Sequence, residues 1–170
     1  MRPKETEYAP YYQKYVDTVE GDDIIWALDK QINEFIEFIN TIPEEKKTYS
    51  YAVGKWTTAE VLGHINDTER IMAFRALWFA RNEPTPLPGF EQDNFIKYSN
   101  FNRRTLQSFM DEFSHLRKSN NILFGSFGEE ALHRQGISNN KQVSVLALLF
   151  IIAGHLNHHV AVLKDKYLKE

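Results

Sequence analysis

Three of the chain's six histidines stand within five residues: His155, His158 and His159, in the run HLNHH. His155 and His159 are four apart, which on a helix stacks them one turn apart, with about 6 Å between Cβ atoms. Two imidazoles so placed can share one metal ion at about 2.0–2.1 Å each. The same stripe carries Leu148 and Ile152 before the pair and Val162 and Leu163 after it, so the pair is expected to face a bundle core. His64 shares its own stripe with Val61, Thr68 and Ile71 and is expected to face inward too. Three imidazoles with an open fourth position form the pattern of a catalytic zinc site, and the set also suits nickel or ferrous iron. An inward histidine is also commonly a hydrogen-bonded core residue, and that reading stays open for each of the three.

Other groups border this set. Asp67 lies three residues after His64 and Glu60 four before it. Either could fix a histidine tautomer or act as a general base, and either could equally be a solvated carboxylate on a helix edge. His158 borders the ligand stripe and is a candidate proton carrier, or a polar edge residue. Glu69 falls more than about 100° around the helix from His64 and is expected in solvent. His115 and His133 read as surface or packing residues. Gly63 and Gly154 immediately precede His64 and His155, and they predict close helix approach, since a mid-helix glycine costs about 1 kcal/mol relative to alanine. Leu156 follows His155, so the run is not HExxH. Inward Glu-x-x-His pairs, a Walker A loop, GxSxG and GxGxxG are also absent from the sequence.

Four helices are available to position these residues. Six prolines, at positions 3, 10, 43, 84, 86 and 88, punctuate the chain and leave long proline-free stretches between them. Helix one is expected over Asp22–Thr41, with Ile25, Leu28, Ile32, Phe35, Ile36 and Ile39 on its apolar face. The preceding Tyr8–Val19 segment predicts a short turn of helix over an end of the bundle. Helix two starts at a capping box, Thr57 with Glu60, preceded by Trp56, and runs to about Arg81. A proline-rich loop follows over Asn82–Gly89. Helix three is expected over Arg103–Phe124, buried through Leu106, Phe109, Met110, Phe113, Leu116 and Leu123. The stretch Gly136–Gln142 is polar and turn-like. Helix four begins at Ser144, a good N-cap, and runs to about Leu168. No strand-rich segment competes with the helices, so the expected fold class is all-α, a four-helix bundle in one domain over residues 1–170.

Composition narrows the chemistry. With no cysteine, disulfides, cysteine-ligated zinc and a cysteine nucleophile are excluded. A net charge of −3 gives no basic footprint, so no nucleic-acid partner is expected. The longest apolar run, Val145–Ala153, is too short for the roughly 20 residues a bilayer span needs. We therefore expect a soluble, cytoplasmic protein without a membrane partner.

The stretch GKWTTAEVLGHINDTERIMAFRAL, Gly54–Leu77, resembles the second helix of the DinB-like, or DinB/YfiT, superfamily. VSVLALLFIIAGHLNHHVAVLKDKY, Val143–Tyr167, resembles its last helix, and PTPLPGFEQDN, Pro84–Asn94, resembles a loop found in many members. The resemblance implies an up-down-down-up four-helix bundle with a three-histidine metal site at His64, His155 and His159. It also implies a small-molecule substrate, a homodimer, and chemistry of the thiol S-transferases that use bacillithiol or mycothiol, or of metal-dependent hydrolases. The leading expectation is an S-transferase. It would use a divalent metal (zinc, nickel or iron) and a low-molecular-weight thiol cosubstrate, because the chain has no thiol of its own. Hydrolysis of an amide or ester by metal-bound water is the second, with Asp67 or Glu60 as base. Non-catalytic binding of a metal or small ligand is the third.

Overall fold

A computed structural model describes residues 1–169. Four long helices dominate: α1 (Ile24–Asn40), α2 (Thr58–Ala80), α3 (Leu106–Gly125) and α4 (Val145–Val162). Each starts at a side-chain cap that accepts an otherwise orphaned backbone N–H. Asp23 accepts from Trp26, Thr57 from Glu60, Thr105 from Ser108 and Ser144 from Ala147. The Thr57–Glu60 capping box is complete in both directions. Beyond α4 the chain widens into a π-turn, Leu163–Tyr167, whose Tyr167 hydroxyl donates to the Trp56 carbonyl at 2.8 Å.

Helix α1 packs on α3 and α4, and α2 packs on α4 and α3. Consecutive helices α1 and α2 therefore lie on a diagonal, unlike a simple up-and-down bundle whose sequence neighbours pack side by side. This is the all-α, up-down-down-up bundle the resemblance implies.

The connections differ from expectation in three places. The turn-like stretch before α4 is a hairpin, β1 (Gln135–Ser138) antiparallel to β2 (Lys141–Ser144). Asn139 and Asn140 both take positive φ, 50° and 57°, as a tight two-residue turn requires, and asparagine tolerates this better than most residues. Leu87 of the proline-rich loop bonds to Ile137 and Asn139, tying that loop to the hairpin. The segment before α2's partner helix α3 also holds a short helix, Gln92–Lys97, and a 3-10 turn, Phe101–Arg103. Finally, the N-terminal turns through Gln13–Val16 lie against the middle of α4, not over an end of the bundle.

That docking explains Gly154. A Cβ there would sit 2.0 Å from the Tyr15 carbonyl oxygen, so only glycine admits the N-terminal backbone. At Gly63 the neighbour is the Phe101 ring, 2.5 Å from an added Cβ. Neither glycine marks a helix–helix crossing, as the sequence had suggested. Each marks a connecting segment pressed onto a helix.

Glu69 is also corrected. It is buried, not solvated, because α2 packs on two neighbouring helices and so has two inward sides. Its carboxylate accepts from Arg117 Nε at 2.7 Å and Nη2 at 2.8 Å, and from Asn120 at 3.1 Å. Arg117 donates onward to the Leu28 carbonyl and to Gln31, which reaches the Ala153 carbonyl and Asn157. One polar network thus touches all four helices. The apolar core is split around it: one cluster holds Met72–Ala80 residues of α2 and Val145–Ala153 of α4, and the other holds Ala59–Ile65 residues and Leu156. Helix α4 is long and apolar enough to cross a bilayer, but most of its apolar length is buried between these clusters.

Candidate metal centre

His64 sits on the second turn of α2, and His155 and His159 sit on successive turns of α4. The α2–α4 contact brings the three rings together at the same level as the buried network. His64 Nε2 and His155 Nε2 are 3.0 Å apart. Ring centroids are 4.9 Å apart for His64–His155, 5.0 Å for His64–His159 and 4.4 Å for His155–His159. One nitrogen from each ring lies within 4.8 Å of the other two. Two nitrogens bound tetrahedrally at 2.0–2.1 Å lie about 3.3 Å apart, a spacing that the His64–His155 pair already approaches.

Two further observations fit a cation here. His159 Nδ1 is buried without a hydrogen-bond partner, and an orphaned imidazole nitrogen is costly unless something accepts its lone pair or proton. All three imidazoles are also held neutral, the form that ligates metals. Burial pushes His64 down to about 4, with the charge of Asp93 opposing it. Burial pushes His159 down to about 3, reinforced by His64 and His158. His155 falls well below the ordinary histidine value, by burial first and then by the neighbouring histidines.

The bordering residues separate by position. Glu60 spends both carboxylate oxygens on the start of α2: one accepts from the Thr57 backbone N–H at 2.7 Å and the other from Asn102 at 3.1 Å. Asp67 is half-buried and lines a different hollow, with Phe95, Tyr98, Phe101 and Arg104. Burial and then Glu112 raise its pKa. Thr68 Oγ1 lies against the His64 ring, 3.4 Å from Nδ1 and 3.5 Å from Nε2. His158 is half-buried, its ring 5.3 Å from that of Tyr15 and 5.0 Å from that of His159. Burial and Lys14 lower its pKa. His115 and His133 are far from this set in the fold: His115 bonds to the Asp111 carbonyl on α3, and His133 approaches Glu7.

Several residues at the site carried no signal of it in the sequence. The Tyr15 ring meets His155 edge-on at 5.6 Å, and the Trp56 ring lies 4.8 Å from His64. Trp56 donates to Asp93 at 3.1 Å, which places a carboxylate near His64 from the short helix Gln92–Lys97. Gly154 was the available clue to Tyr15, though it did not say what pressed against α4.

A cavity of about 300 Å³ reaches the histidines, and His64 and His155 form part of its wall. The N-terminal segment contributes Tyr11, Tyr12, Lys14 and Tyr15, and the loop after α2 contributes Gly89, Phe90 and Gln92. A larger groove of about 670 Å³ between α1 and α4 includes none of the three histidines. The geometry thus brings three imidazole donors together beside a cleft, an arrangement that could hold an ion with access for a small molecule.

Known proteins place the fold. YfiT from Bacillus subtilis, described as a probable metal-dependent hydrolase with an unusual four-helix bundle topology, superposes with a TM-score of 0.76. It shares 14% identity, over 97% of this chain and 90% of that one. A mycothiol-dependent maleylpyruvate isomerase superposes with a TM-score of 0.67 and 12% identity, over 82% of this chain and 58% of that longer one. No curated protein matches the sequence. The sequence model of the DinB superfamily matches residues 27–163, a span that includes His64, His155 and His159. The chain belongs to the DinB superfamily.

Proposed function

We propose that this protein is a metal-dependent enzyme, an S-transferase that joins a low-molecular-weight thiol to a small electrophile. The observation that carries the reading is the convergence of three neutral imidazoles, His64 and His155 buried and His159 partly buried, with the first two on the wall of a cleft. These three side chains would hold a divalent ion, zinc, nickel or iron, leaving the cleft side free for substrate. Such an ion, when bound, supplies Lewis-acid activation of a coordinated thiol or water at neutral pH. The chain has no cysteine, so a thiol must arrive as a cosubstrate. The mycothiol dependence of one structural neighbour supports that choice.

The remaining residues bind, orient and exclude water. Trp56 lies tilted beside the His64 ring and Tyr15 meets the His155 ring edge-on, and both limit solvent at those rings. Thr68 Oγ1 packs against the His64 ring at nearly equal distances from its two nitrogens and helps to hold the ring in place. His158, next to Tyr15 and half-exposed, is assigned to carrying protons between the site and solvent. Glu60 is assigned to holding the start of α2, and Asp67 to the neighbouring hollow, so neither is the preferred base.

Hydrolysis by activated water is the second reading, favoured by the description of YfiT as a probable hydrolase. Conjugation of a thiol to a fluorogenic electrophile such as a bimane separates the two. Metal-loaded protein should require added thiol and lose turnover in His155→Ala. Turnover that persists after metal removal would overturn both readings. Metal-dependent ester cleavage without thiol would select the hydrolase.

A further inference from the structure

Among the described residues two arginines are buried, and they are held differently. Arg117, wholly buried, is neutralised by the paired oxygens of Glu69. Arg75 is 4% exposed and, among the described residues, forms no ion pair and donates to no side-chain oxygen. Its Nη2 donates to the Pro88 carbonyl at 2.9 Å, its Nη1 lies 3.5 Å from Met72 Sδ, and the guanidinium stands 5.9 Å over the Phe90 ring. Those contacts hold the head in place but do not balance its charge. Burying an unpaired charge is strongly unfavourable, so a buried cation left without an anion is a site waiting for one.

Arg75 lies on the wall of the same cleft as His64 and His155. Residues 64, 68, 72 and 75 follow one face of α2, and eleven residues bring the helix round to within about 20° of its starting direction. The two Cα positions are about 16 Å apart along the axis. The arginine side chain leans back toward the helix N-terminus, as its contact with Met72 shows, which shortens the distance to the histidines. Lys14 adds a second cation to the wall, and among the described residues no aspartate or glutamate lines the cleft. That bias runs against the composition, since the chain carries more acids than bases. Phenol hydroxyls of Tyr11 and Tyr12 stand on the same wall and can donate to an oxyanion.

We propose that Arg75 is an anion-binding residue that takes a carboxylate or phosphate group of the substrate or its cosubstrate at the far end of the cleft. The reacting centre is thereby set at the histidine end. The planar guanidinium fork matches either oxyanion and fixes its orientation. The substrate class is thus a small anionic molecule with its oxyanion several bonds from the reacting atom. This assignment rests on the cleft being the substrate site of the function proposed above.

The test titrates inorganic phosphate, and separately acetate, into zinc-loaded and metal-free protein, with metal content measured on the same samples. The ¹⁵N–¹H signal of Arg75 Nε should shift saturably in both forms. Arg75→Gln should weaken phosphate or acetate binding at least about tenfold while keeping the wild-type metal content, and Arg75→Lys should lose part of the affinity. An Arg75 signal unmoved by both anions, or unchanged affinity in Arg75→Gln, would overturn the proposal. If Arg75→Gln does not fold, the wild-type Nε signal decides alone. Anion binding at Arg75 in a protein that takes up no metal would leave this assignment standing and remove the metal reading.

Discussion

His64, His155 and His159 are neutral for one shared reason, that burial penalises an imidazolium. The sign of the pH dependence follows. Each histidine has its folded pKa below the unfolded value near 6.5, so the unfolded chain binds protons first as pH falls. Stability of metal-free protein should be fully present above about pH 6.5. It should decline toward pH 4, where His64 itself begins to protonate, and on toward pH 3 for His159. Each histidine contributes a slope of at most about 1.4 kcal/mol per pH unit. Urea unfolding of chelated protein between pH 7 and pH 4.5 measures this, and His64→Gln should reduce the slope by about one proton. Parallel curves for the two proteins would contradict neutral burial at His64. The triad itself was legible in the sequence, because three inward histidines on two periodic helices leave few ways to pack. Tyr15 and Trp56 were not, since their place depends on how loops fold back onto the bundle.

The four helices were legible because their caps and apolar stripes agree, as at Thr57–Glu60 and Ser144. The connections were less so. Asn139–Asn140 is a weaker hairpin signal than Asn-Gly, and the strands it joins are four residues each. Gly63 and Gly154 were rightly singled out but for the wrong partner. The difference is testable by two single substitutions. Gly154→Ala presses on the Tyr15 backbone oxygen, which cannot move without lifting the N-terminal segment off α4. It should cost about 1–2 kcal/mol, the overpacking penalty of about 1–3 offset by the better helix propensity of alanine. Gly63→Ala meets a ring that can turn aside, so its cost should be smaller. Thermal melts of both proteins check the order; a larger loss for Gly63→Ala would show that the N-terminal segment is not fixed on Gly154.

Across the whole molecule, a polar layer divides two apolar clusters, and it holds both the histidines and the Arg117–Glu69 network. Glu69 shows why sequence periodicity missed this. Helix α2 touches two helices, so a residue well off the His64 stripe still faces protein, and its partner lies 48 positions away. Glu69→Leu strands a buried guanidinium and should cost about 3–5 kcal/mol, whereas Glu69→Leu with Arg117→Met should cost clearly less than the two single changes together. Additive losses by urea unfolding would mean that the pair is not coupled. Above all, the molecule is taken to hold an ion in this layer. Elemental analysis of purified wild type beside His64→Ala tests that most directly. About one first-row metal per wild-type chain, lost in a folded His64→Ala, is the expected result. Equal metal in both proteins, or none in the wild type after exposure to zinc, nickel and iron, would contradict it.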